Sequence, residues 1–203
     1  MRYWKMGWML GLAAILLSGC GPKDECDDPT RVISQLTGAA GINFYDASSN
    51  FEIAQGFTPD KTFNLTSISV FIKKVGDPQG SLRFSIRRDN GGEPEDSPIS
   101  GGGPQSVGAD SISDVSGELK IEFPNEPELN DGTVYHLVIS STEPVNSTNY
   151  FVLEGNSGSD VYANGKLSRF DDEDGDGNKD EDEEWTAFTN EDLKFIIEGC
   201  EVN

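Results

Sequence analysis

Helical periodicity is nearly absent between residues 30 and 203, and that absence constrains the fold more than any motif does. What recurs instead is short runs of β-branched and aromatic residues, each bounded by Gly, Pro, Asn or Asp. Strands are expected at 31–36, 51–57, 65–75, 81–88, 118–123, 133–140, 150–154, 167–170, 185–188 and 193–198. Several alternate cleanly. Leu82, Phe84 and Ile86 should face one way and Arg83, Ser85 and Arg87 the other, as should Leu119, Ile121 and Phe123 against Lys120 and Glu122. Many short strands separated by turn signals imply an all-β domain of two packed sheets, a β-sandwich or jelly roll. Residues 21–28 have linker composition, 90–103 read as an extended loop, and no internal repeat is visible.

One loop carries chemistry. Residues 172–183 read Asp-Glu-Asp-Gly-Asp-Gly-Asn-Lys-Asp-Glu-Asp-Glu. Asp172, Asp174 and Asp176 fall at positions 1, 3 and 5 of a twelve-residue calcium loop, Gly177 at 6, Asn178 at 7, Asp180 at 9 and Glu183 at 12. Ca²⁺ takes six to eight hard oxygen ligands, and alternate carboxylates can aim into one concavity. The glycine permits the sharp turn, Asn178 offers its carbonyl, and Glu183 can bind through both oxygens. The alternative is a solvated acidic loop. The flanks, Gly165 to Phe170 and Trp185 to Thr189, are short and β-like, so the site should sit on a β-hairpin or an inter-strand loop and brace it, outside any pair of EF-hand helices.

The two ends of the chain suggest where it works. Arg2 and Lys5 begin it, a short apolar run follows, and Leu17-Ser-Gly-Cys20 resembles a bacterial lipobox. Residues 1–19 are then expected to be a lipoprotein signal peptide, with Cys20 acylated and 20–30 a lipidated tether. The alternative is an ordinary signal peptide with a nearby structural cysteine. The expected address is the outer membrane or the cell surface. With Cys20 taken by lipid, Cys26 and Cys200 remain as one pair, and in an oxidising compartment that parity suggests a disulfide. Two unpaired thiols are the alternative.

The formal net charge is −21, and it becomes more negative once Arg2 and Lys5 are removed. The segment from Asp171 to Glu184 holds ten carboxylates and one lysine, but acidity extends through the rest of the chain. A nucleic-acid phosphate backbone would be repelled, so that partner class is excluded.

The body of the chain resembles a known family. The stretches Gly56-Phe-Thr-Pro, Leu65-Thr-Ser-Ile-Ser-Val-Phe-Ile-Lys-Lys-Val-Gly76, Gly80-Ser-Leu-Arg-Phe-Ser-Ile, Asp89-Asn-Gly-Gly-Glu-Pro94, Asp131-Gly-Thr-Val-Tyr-His-Leu-Val-Ile-Ser140 and Asp192-Leu-Lys-Phe-Ile-Ile-Glu-Gly199 are similar to the "choice-of-anchor" β-sandwich domains of bacterial secreted and surface proteins. The resemblance spans most of 51–199, and its motifs are hairpin turns and core strands. It implies a jelly-roll, galactose-binding-like sandwich outside the cell, and the sandwich domain as a whole is expected over residues 31–203. It carries no catalytic set onto any position here. The chain departs from the family where the calcium loop replaces a short Gly-rich turn before Trp185.

Catalytic constellations are scarce. His136 is the only histidine, so no other histidine could complete a Ser-His-Asp triad or a zinc site. Its place in an apolar strand suits a packed residue better than a base. Paired carboxylates for glycoside hydrolysis remain open in so acidic a chain, although no clustered carboxylate strand is present. Aromatic platforms for a glycan could come from Trp185, Tyr162 and Tyr150, near Asn149, Asp160 and Asn164, against the alternative that each ring fills the core. The leading expectation is a lipid-anchored, calcium-braced, non-enzymatic binding or adhesion module, for glycans or a surface protein. A purely structural envelope lipoprotein comes next, and a glycoside hydrolase third.

Overall fold

The computed structural model describes residues 26, 28–44, 52–142, 146–170 and 184–202. These form antiparallel strands in two sheets, with a single 3-10 turn at Ala109–Ser111 as the helical element among the described residues. Numbered in chain order, the first sheet holds β1 (Thr30–Gln35), β2 (Ala40–Phe44), β4 (Phe63–Val75), β8 (Gly117–Glu122), β9 (Glu128–Leu129), β11 (Tyr150–Ser157), β14 (Glu191–Leu193) and β15 (Phe195–Glu201). The second holds β3 (Glu52–Phe57), β5 (Ser81–Asn90), β6 (Glu93–Pro98), β7 (Gln105–Gly108), β10 (Tyr135–Ser141), β12 (Leu167–Phe170) and β13 (Thr186–Phe188). The protein is an all-β sandwich.

Strand β4 is the spine of the first sheet. Its residues Ser67 to Val70 pair with β15 on one edge and β8 on the other, and its far end pairs with β11. In the second sheet the order runs β13-β12-β3-β10-β5-β6, with β7 also beside β5. The inward faces meet in one core built around Phe44, Phe57, Phe63, Phe84, Phe123, Tyr135, Phe151 and Phe195, all at or below 1 % exposed. The expected alternation holds. Leu82, Phe84 and Ile86 are fully covered while Arg83 is exposed, and Ile121 and Phe123 are buried while Glu122 is exposed.

Strands β2, β6, β7, β9 and most of β14 fall outside the expected set. Residues 90–103, expected as an extended loop, contain β6, which turns back on β5 through Gly91 and Gly92. Both glycines have positive φ (73° and 103°), so Asn90 can pair with Glu93 across a two-residue primed turn. Strand β2 is absent from the expected set because its Ala-Gly start is weakly β-forming. Ile42 and Phe44 nonetheless enter the core, and β2 pairs along β11.

Cys26 and Cys200 form a disulfide, with their Cα atoms 5.7 Å apart. The bridge joins the two ends of the domain beside the β1–β15 pairing.

Candidate ligand cleft

The outer face of the second sheet holds the site. On β10 the side chains of Tyr135, Leu137 and Ile139 enter the core, which turns His136 and Val138 outward. Register places His136 between Gly56 and Arg87, and Val138 between Ala54 and Ser85. An outward sheet face is ordinarily wet. Here Ala54 is 0 %, Val138 1 %, Ser168 1 % and His136 3 % exposed.

A wall accounts for one end of this covered face. The segment from Val161 to Lys166 leans over β3 and is pinned at several points. Gly56 N–H donates to the Lys166 carbonyl (2.8 Å), and the Thr58 hydroxyl donates to the Asn164 carbonyl (3.1 Å). The N–H groups of Val161 and Tyr162 donate to one oxygen of Asp192, at 3.0 and 3.1 Å. The other Asp192 oxygen accepts from Gln55 Nε2 (3.4 Å), and Gln55 Oε1 accepts the Leu193 N–H (2.7 Å). Burial pushes the Asp192 carboxyl above the ordinary value, and the backbone and Gln55 hydrogen bonds pull it back. The wall approaches so closely that a Cβ on Gly165 would lie 1.8 Å from the Gly56 carbonyl oxygen. Only glycine fits there.

Between the wall and the β10 side of the sheet lies a cleft of about 420 Å³, within the size range of small-ligand sites. Thr58, Asp89, His136, Asn164 and Lys166 supply its polar lining. His136 Nε2 lies 2.8 Å from Asp89 Oδ1. A carboxylate only accepts, so Nε2 carries the proton. The other ring nitrogen, Nδ1, is buried with no hydrogen-bond partner. Burial holds the imidazole below its ordinary value, opposed by the bond to Asp89, and the ring is therefore neutral at pH 7. In a triad the nitrogen away from the carboxylate meets the nucleophile. Here that nitrogen is sealed inside the protein, so His136 is a fixed donor to Asp89. Among the described residues lining the cleft, Asp89 is the only carboxylate, and two-carboxylate glycoside hydrolysis would need a second.

The aromatic residues expected to form a platform are placed otherwise. Trp185 is only 9 % exposed and packs with Phe170, Ala54 and Val138 in a small cluster on the outer face of the second sheet. Tyr162 is half-buried, its ring edge-on to Phe195 at 5.3 Å. Burial pushes its phenol up to about 12, against a hydrogen bond with the Thr58 backbone. Tyr150 is half-buried against the main core. The two tyrosines thus lie against the main core and Trp185 packs in a different cluster, and the three do not form one exposed platform. Each contributes more by covering apolar surface than it could by standing in water.

The flanks of the acidic run form a hairpin, as expected. Leu167 pairs with Phe188 and Arg169 with Thr186. Arg169 also lies over the Phe188 ring (4.5 Å) and pairs with Glu191 (2.6 Å). The expected ligands Asp172, Asp174, Asp176, Asn178, Asp180 and Glu183 lie outside the described residues, as does Cys20. Among the described residues no group of His, Cys, Asp and Glu side chains could hold a metal ion. No described helix is long and apolar enough to cross a membrane.

Comparison with family models, with curated proteins and with solved structures returns no match. The resemblance to choice-of-anchor sandwiches therefore rests on the strand and turn motifs alone.

The sequence alone points to a packed place for His136, does not single out Asp89, Thr58 or Lys166 as site residues, and offers Asn164 only as a neighbour of the aromatic candidates. The Asp-Asn-Gly-Gly turn was visible, but its contact with a histidine 47 residues away was not.

Proposed function

We propose that this protein is a lipid-anchored, calcium-braced extracellular binding module, taking a glycan or a surface partner on the outer face of its second sheet. The observation that carries this reading is the walled cleft at Gly56 and His136, built on a sheet face that a purely structural sandwich would leave flat and wet. The disulfide suits an oxidising, extracytoplasmic setting. Five residues between Cys20 and Cys26 would hold the domain within about 20 Å of a lipid surface. The acidic loop, on a hairpin rooted in the second sheet, would take Ca²⁺ through Asp172, Asp174, Asp176, Asn178, Asp180 and Glu183 and stiffen the edge of that sheet.

A structural envelope lipoprotein is the second reading, and the burial of Trp185, Tyr162 and Tyr150 favours it. The two are separated by an immobilised glycan panel probed with the mature protein, with and without calcium. Retention of at least one glycan class supports the binding module. No retention in either condition, together with no capture of a purified surface polysaccharide, returns the protein to a structural role.

A further inference from the structure

We infer that the cleft beside Asp89 and His136 is a subsite for a neutral, hydroxyl-rich ligand of one or a few sugar units, with Asp89 as its principal acceptor. The inference rests on the binding-module reading above and assigns that reading a place and a chemistry. Asp89 is held from two sides. Its Oδ1 faces His136 Nε2 at 2.8 Å, and its Oδ2 accepts the Gly92 N–H at 3.0 Å. Its own N–H donates to the Val134 carbonyl at 3.2 Å, which fixes the backbone beneath it.

A carboxylate has about four lone-pair sites. Two are used here, and the side chain is still 25 % exposed, so the remaining pairs can meet a donor from the cleft. The carboxylate is thus oriented before any ligand arrives, which lowers the ordering cost of binding. His136, 3 % exposed and neutral, makes that orientation rigid without adding a second charge.

The chemistry of the lining selects the ligand class. Asp89 asks for a donor. Lys166, exposed on the wall, and Asn164 beside it can donate to an acceptor. A hydroxyl group satisfies both demands, because it donates and accepts. An anion would meet the fixed carboxylate on a chain of net charge −21, and a simple cation would leave the donors of the wall unused. Val134, 37 % exposed, and Ala163 add small apolar patches suited to the C–H face of a sugar ring.

The test is NMR titration of the mature protein with glucose, galactose, mannose, N-acetylglucosamine and their short oligomers. Shifts should centre on the amides of Gly92, Val134 and Asn164. Asp89→Asn keeps an oxygen for His136 but replaces the second oxygen by a donor, and it should weaken the bound sugar roughly tenfold or more. Lys166→Ala and Asn164→Ala change exposed side chains and keep the backbone carbonyls that pin the wall, and each should weaken binding several-fold. Binding with shifts elsewhere and unchanged affinity in all three variants would overturn the cleft assignment while leaving a binding module. No binding of any sugar in the panel would overturn the assignment together with the glycan reading beneath it.

Discussion

The rings of Phe170 and Trp185 lie 5.6 Å apart, tilted at 41°, at the root of the hairpin whose connecting segment carries the acidic run. Below them Leu167 pairs with Phe188 and Arg169 with Thr186, so the strands are in register when they reach the loop. The rings pack with Ala54 and Val138 on the outer face of the second sheet. What happens in the loop should therefore be felt by Trp185, the one tryptophan beyond the N-terminal segment.

That relationship gives the calcium proposal an optical readout. Titrating Ca²⁺ into the mature protein should shift Trp185 emission with an affinity of roughly 10⁻⁴–10⁻³ M, the range of extracellular modules. At tenfold excess over the dissociation constant, binding adds about 1.4 kcal/mol. Chelation should then lower the melting temperature by about 3–6 °C without unfolding the sandwich. Asp174→Ala should behave like chelation, and the exposed Glu118→Ala should not. A silent calorimetric titration and a melting temperature indifferent to EDTA would leave a solvated acidic loop.

Reduction of the Cys26–Cys200 bridge should destabilise the fold by roughly 2–4 kcal/mol. The loss should fall short of the full loop-entropy value for a separation of 174 residues, because β1 already pairs with β15 next to the bridge. Denaturant melts of the wild type with and without reductant measure it. Equal midpoints would mean that strand pairing alone holds the ends.

His136 should make the fold sensitive to acid. Its folded value is depressed below 6.5, mainly by burial. The unfolded chain therefore binds a proton that the folded chain refuses, and stability present above about pH 6.5 should be lost as pH falls towards the folded value. In His136→Gln this part of the slope should vanish. Urea midpoints from pH 7.5 down to 5 compare the two, and parallel curves would remove His136 from the account.

Gly165→Ala should cost about 1–3 kcal/mol, the usual range for forcing extra volume into a packed contact. The new methyl would meet the Gly56 carbonyl, and backbone on both sides must move. Faster amide exchange should be confined to residues 161–166 and to Gly56. A variant as stable and as protected as the wild type would mean that the wall is not held where the structure puts it.

The proposed anchorage rests on the lipobox resemblance and can be tested at Cys20. Cys20→Ser should yield an unacylated chain that leaves the membrane fraction. Mass spectrometry finding wild-type mature protein with an unmodified N-terminal residue would remove the lipid from the account.

The strands were legible where side-chain chemistry is local. Leu82-Arg-Phe-Ser-Ile86 alternates because a pleated strand sends successive side chains to opposite faces, and the period survives whatever partner the strand finds. The hairpin flanks at Leu167–Phe170 and near Trp185 were legible from their aromatic and β-forming residues. Strand β2 was not, since Ala40 and Gly41 carry little β preference and are ordered by pairing with β11. The short strand β14 was hidden likewise, because Glu191 and Asp192 read as loop until Gln55 and the Val161–Tyr162 amides are beside Asp192.

By itself, then, the sequence determined an all-β sandwich, the cysteine pair at its ends, a strongly acidic composition, and an acidic run whose spacing carries the calcium proposal. Each of these follows from residue type and short-range order. Only the tertiary structure decided that Trp185, Tyr162 and Tyr150 are packing residues, that His136 is a neutral prop, and that Asp89 stands in a cleft. Those roles depend on which residues far apart in the chain meet and on how much water is left between them, and neither quantity is written along the chain.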